Sequence, residues 1–127
     1  MPLVDYLLER RIDTRLPLVA DYAGAMINTC FQEVNQTTGV VRFFGPVFAG
    51  VQYKVAAAHG DYLQSFAQRM PRIETERILF SCNCILNYLH AGLEGRRTGT
   101  LTGPVSFGEI AYQLLNQTLV YLRITDA

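Results

Sequence analysis

The stretch ILFSCNCILNYLHAGLEGRRTGTLTGPVSFGEIAYQLLNQTLVYLRI, residues 78–124, carries the pattern on which the fold turns. An apolar run enters Cys82-Asn83-Cys84 and continues as an amphipathic segment. Residues 77–81 predict a buried strand. Ile85, Leu86, Leu89 and Leu93 then recur at helical spacing and predict a helix that stops at Gly95. A turn-rich, basic loop follows over 96–103. Residues 105–112 and 119–124 predict two closing strands around a connection at 114–118.

Working back toward the N-terminus, Gly60-Asp61 opens a second helix. Asp61 is placed to be its N-cap, with Gln64 three positions on in a loose capping box. Leu63, Phe66 and Met70 supply the apolar stripe, and Pro71 ends it. Residues 51–57 alternate, with Val51, Tyr53 and Val55 on one face and Gln52 and Lys54 on the other, which predicts a strand. Residues 40–44 and 26–34 predict two more, separated by turn chemistry at Asn35–Gly39. Residues 16–25 are ambiguous, because Pro17 interrupts them. Leu3, Leu7, Leu8 and Ile12 predict a helix over 2–12. Helices set among hairpin-length connections predict an α+β fold: a single domain with a mainly antiparallel sheet and two or three helices packed on it. Strict strand–helix alternation, which a doubly wound parallel sheet needs, is absent.

The totals exclude several classes. At 127 residues the chain can bury one real core. Half of it is hydrophobic and only 17% is charged, so some apolar surface is expected to meet a partner subunit or line a pocket. Eleven basic and eleven acidic residues cancel, which argues against a nucleic-acid binder. Arg10, Arg11 and Arg15 are interleaved with Glu9 and Asp13 and read as a solvated helix face. No run approaches the roughly 18 apolar residues of a membrane span. The N-terminal MPLVDYLLERR lacks the profile of a secretory leader. Cys30, Cys82 and Cys84 are odd in number, and the last two are too close for a comfortable disulfide, so a reducing, cytoplasmic compartment is expected.

Two places could carry chemistry. Cys82-Asn83-Cys84 lies where a strand hands over to a helix; Cys84 is either a reactive or ligand-binding thiol or a small buried hydrophobe. Only His59 and His90 could serve it as a base, and His90 lies well along the helix from it, so no catalytic pair is legible. The same two thiols and two histidines have no zinc spacing. Glu109 is an isolated carboxylate in an apolar segment, on one face with Phe107 and Ala111 if the strand is regular. It is either an anchor for an amine, amide or guanidinium group of a ligand, or a structural partner of a backbone amide or of Arg96, Arg97 or Arg123. The glycines at 99, 103 and 108 do not form a phosphate-binding pattern and read as turns.

Phe80-Ser81-Cys82, Phe107-Gly108-Glu109-Ile110 and Asn116-Gln117-Thr118-Leu119 occur in the order of the FSC, GEI and NQTL motifs of the FIST family, and residues 40–124 resemble the C-terminal domain of that family. Where the family carries an arginine three residues after the FSC cysteine, this chain has Ile85. On this resemblance residues 1–39 form an N-terminal helix and first-strand region, and 40–127 the FIST-like part of the same domain, in a short stand-alone form. The resemblance implies a sensory module that binds a small molecule, is not itself an enzyme, and signals through a separate output protein. The ligand contacts it suggests are Cys82, Asn83, Cys84, Tyr88, Phe107 and Glu109, with no cofactor and no metal. A homodimer is expected, with no nucleic-acid or membrane partner. Two alternatives stand beside it: a haem protein using His59 or His90, since haem-dependent members occur in that family, and a structural or adaptor subunit with no ligand.

Overall fold

The computed structural model describes residues 1–58, 60–70, 77–96, 98, 101–110 and 113–125. The chain is α+β, and among the described pairings only one is parallel. Its contacts gather into two compact units, residues 1–58 and 59–127.

The first unit opens with α1, Leu3–Glu9, shorter than the expected 2–12. Val4 and Leu7 are its buried residues, whereas Leu3 and Leu8 face outward. Asp5 in the first turn suits the positive end of the helix. The helix closes in a Schellman motif: Ile12 N–H donates to Leu7 O and Arg11 N–H to Leu8 O, with Arg11 at positive φ. Beyond it Asp13 accepts from the backbone and the guanidinium of Arg15, at 3.1 and 2.7 Å.

The ambiguous residues resolve as a strand, β1 (Leu18–Tyr22), which pairs antiparallel with β2 (Ala25–Thr29). Ala23 and Gly24 both take positive φ, 55° and 92°, the geometry of a type I′ hairpin turn. Asp21 Oδ1 accepts from Gly24 N–H at 2.6 Å and fixes that turn. The expected single strand over 26–34 is two, because the chain leaves β2 at Cys30 and begins β3 at Phe31–Asn35. β3 and β4 (Val40–Phe43) make the expected hairpin around Asn35–Gly39, where Asn35 Oδ1 accepts from Thr38 N–H. The residue 39/40 subdivision falls inside this hairpin. Of the strand expected over 51–57 only β5, Lys54–Val55, is regular, pairing with the other edge of β1. Tyr53 holds the preceding loop instead: its hydroxyl accepts from Phe48 N–H at 3.1 Å and lies 2.7 Å from the Tyr22 hydroxyl, which raises the Tyr22 pKa above its usual value of 10.0.

The second unit begins with α2, Tyr62–Arg69, capped as expected by Asp61, whose Oδ1 accepts from Gln64 N–H at 3.0 Å. Pro71, its expected stop, lies outside the described residues. β6, Ile78–Cys84, is the middle strand of a three-stranded sheet, antiparallel to β10 (Leu119–Arg123) and parallel to β7 (Val105–Ser106). It runs three residues further than expected, and its burial is reversed: Leu79 and Phe80 are exposed, and Ser81 to Cys84 are buried. α3, Ile85–His90, follows with no intervening loop. It stops before Gly95, in a second Schellman motif: Gly92 takes positive φ and Leu93 N–H donates to Tyr88 O. Leu86 and Leu93 are buried, but Leu89 is 63% exposed, so the apolar stripe is narrower than expected. The strand expected over 105–112 breaks at Phe107-Gly108. β8 (Glu109–Ile110) then pairs with β9 (Gln113–Leu114) as a separate hairpin.

Two outcomes test these local devices. Asp61→Ala removes the α2 cap and is expected to lower stability by about 1 kcal/mol in urea unfolding. The Arg15 side chain, and then its backbone N–H, hold the exposed Asp13 carboxyl down to about 2 from 3.8. A lowered carboxyl pKa stabilises the fold above its unfolded value, and that contribution disappears as pH falls through the folded one. An NMR titration should show Asp13 titrating near the lower value, returning toward 3.8 in Arg15→Ala.

Candidate functional site

The second half of β6 is the most enclosed strand segment of the described chain. Ser81, Cys82, Asn83 and Cys84 are consecutive and all buried. Both edges of β6 are hydrogen-bonded there: Cys84 N–H donates to Thr118 O at 2.9 Å on the β10 side, and Asn83 N–H to Pro104 O at 3.1 Å on the β7 side. Alternation sends Cys82 and Cys84 to one face of the sheet and Ser81 and Asn83 to the other.

The Asn83 face carries a polar seam. Asn87 lies one helical turn after Asn83, so the direct passage from strand to helix brings the two amides together, and Asn87 Nδ2 donates to Asn83 Oδ1 at 3.0 Å. Tyr62, on α2, donates its hydroxyl to Asn87 Oδ1. Ser81 Oγ donates to Thr102 O at 2.9 Å. A buried amide costs free energy unless it is hydrogen-bonded, so these bonds tie α2, β6 and α3 into one arrangement. Asn83 is 7% exposed, and its Nδ2 donors make no hydrogen bond among the described residues.

The thiols play a quieter part. All three cysteines are free and buried, and Cys84 has no exposed surface. Its thiol therefore meets no solvent-borne molecule in this conformation. Cys82 Sγ lies 3.6 Å from Ser106 Oγ, which also accepts from Gly108 N–H at 3.1 Å. This links the β6 cysteine to the bend where β7 ends.

The loop that returns the chain to β7 crosses β6 very closely. A Cβ built on Gly103 would stand 1.8 Å from Ser81 O, and one on Gly108 would stand 2.7 Å from Leu115 O. β7 then sets Val105 beside Asn83 and Ser106 beside Cys84. β6 and β7, being parallel, end on the same side of the sheet. Phe107 and Glu109 follow directly from that end, Phe107 73% exposed and Glu109 also exposed.

The expected residues thus fall into two sets. Cys82, Asn83 and Cys84 are buried side by side, with Tyr88 half-buried on α3. Phe107 and Glu109 stand in solvent beyond β7, and Glu109 has no ion pair among the described residues. Its regular alternation with Phe107 and Ala111 fails at the Phe107-Gly108 bend, and Ala111 lies outside the described residues. His90 is exposed at the end of α3, its ring 5.8 Å from that of Tyr62. His59 lies outside the described residues. Among those residues no cluster of His, Cys, Asp or Glu is arranged to hold a metal ion, and no helix is long and apolar enough to cross a membrane. Asn87, Tyr62, Ser106 and Gly103 were not legible as site residues. The Asn83–Asn87 spacing was the one available signal.

Residues 1–125 match the family described as "Family of unknown function (DUF6976)", and the chain belongs to that family. No curated protein and no solved structure matches it. Nothing in these comparisons links the chain to the FIST family.

The close crossing at Gly103 gives a direct test. Gly103→Ala is expected to abolish the cooperative thermal transition of the second unit, because backbone must move to admit the methyl group. Gly60→Ala, where an added Cβ meets nothing within 4 Å, should leave the transition unchanged.

Proposed function

We propose that this protein is a small-molecule-binding sensory module without catalytic activity of its own, resembling the FIST C-terminal domain and acting as a homodimer on a separate output protein. What supports the binding reading is the amide of Asn83: nine-tenths buried, held by Asn87 through its oxygen, and left with both donors uncommitted. A second support is position. Ligands of sheets with parallel strands bind beyond the carboxyl ends of those strands. The carboxyl ends of β6 and β7 coincide where Cys84 meets Ser106, one residue past the Asn83–Val105 pair, with Phe107 and Glu109 just beyond.

In this reading Asn83 donates to an acceptor group on the ligand, a carbonyl or carboxylate. Glu109 accepts from an amine, amide or guanidinium. Phe107 and Tyr88 cover apolar surface. Cys82 and Cys84 set the strand end rather than react. Three free cysteines suit a reducing, cytoplasmic compartment.

Native mass spectrometry of freshly purified protein, paired with its absorption spectrum, tests this. The expected result is a discrete added mass without a Soret band, reduced in Glu109→Gln, whose exposed side chain leaves the fold intact. A haem-sized mass with a Soret band transfers the site to His59 or His90. A chain that carries nothing and takes up nothing from cell extract fits the adaptor reading and removes this one.

A further inference from the structure

The outer edge of β10 is built to accept another strand. Cys84 and Thr118 form a hydrogen-bonded pair, so antiparallel alternation turns Val120 and Leu122 toward β6 and turns the N–H and C=O groups of Leu119 and Tyr121 away from it. β10 is the edge strand of its sheet, and no described residue pairs with that side. The side chains there are apolar too: Tyr121 and Leu122 are exposed on β10 and Ile124 just beyond its end, while Leu79 and Phe80 are exposed on β6, one strand further in. Soluble proteins blunt such edges with lysines, prolines or inward charges. Residues 119–124, LVYLRI, contain one arginine and no proline.

The geometry points to a second copy of this chain as the occupant, its β10 pairing antiparallel with this one across a two-fold axis at Tyr121. That register sets Tyr121 against its own copy, Val120 against the partner's Leu122, and Leu119 against the partner's Arg123. Like charges meet nowhere along the strand, and a chain with zero net charge does not repel itself. The exposed parts of Tyr121, Leu122 and Ile124, the apolar side chains of the edge strand and the residue just past it, amount to about 300 Å² per chain, taking roughly 200 Å² for each whole side chain. Two copies together cover on the order of 600 Å² of side chain, the size of a weak, reversible contact held mainly by the strand-to-strand hydrogen bonds. The dimer is therefore concentration-dependent, and it joins two three-stranded sheets into one of six. This gives the homodimer proposed above its surface. It rests on that assembly and not on the ligand, so ligand-free protein reads it separately.

Sedimentation velocity of the full chain over the micromolar range tests it. A species of twice 14.3 kDa should grow with concentration. Tyr121→Lys and Tyr121→Glu should each be monomeric, because like charges then face each other at the axis, and an equimolar mixture should recover the dimer. Leu119→Pro removes an outward N–H at the first residue of an edge strand, a tolerated position, and should be a folded monomer by circular dichroism. A wild-type monomer throughout the range overturns the proposal. So does a Tyr121→Lys or Leu119→Pro dimer as strong as wild type.

Discussion

The second unit depends on one strand being hydrogen-bonded along both edges while a helix leaves its end without a loop. β6 reaches Cys84 and becomes α3 at the next residue, so no loop lies between the sheet and the helix to absorb error. β10 closes one edge, and the return loop closes the other, close enough at Ser81 that only glycine fits at position 103. These constraints hold Ser81 to Cys84 away from water, and the side chains that end up there are mostly polar or thiol rather than large and aliphatic.

A polar interior of this kind is specified by hydrogen-bond geometry more than by volume. Asn83 and Asn87 satisfy each other only because the strand-to-helix junction places them a turn apart, and Tyr62 reaches them only from α2. Removing one member leaves a buried partner short of a bond, a loss of about 1–3 kcal/mol, whereas an aliphatic core would repack around a smaller side chain. The seam therefore selects one docking of α2 on α3.

Apolar material is distributed in the opposite sense. Phe80, Leu122 and Phe107 stand in solvent while asparagines are buried. In a chain with so few charges, apolar residues exceed what a small interior can enclose, and the remainder is exposed in both units, on α1 and around β4 in the first and on β6, β10 and beyond β7 in the second.

Local signals in the sequence were read well where the physics is local. Asp61 caps α2 because an N-cap needs only a carboxylate and a backbone N–H three residues on. Asn35 to Gly39 turns because Asn35 bonds its own turn. The α+β class with antiparallel pairing followed from such signals in order along the chain. The β1–β2 hairpin was not legible, because Pro17 interrupts its first arm and Ala23-Gly24 does not resemble an Asn-Gly turn, although Asp21 fixes it through Gly24 N–H. The burial of β6 was read from the wrong end: Leu79 and Phe80 look like core, and only β10, β7 and the Gly103 loop, distant in sequence, decide that Ser81 to Cys84 are the enclosed residues. Cys82, Asn83 and Cys84 could be singled out from the sequence because they sit at a change of periodicity. That the asparagine carries the free donor and the thiols are shut in could be decided only by which face of the strand its neighbours cover.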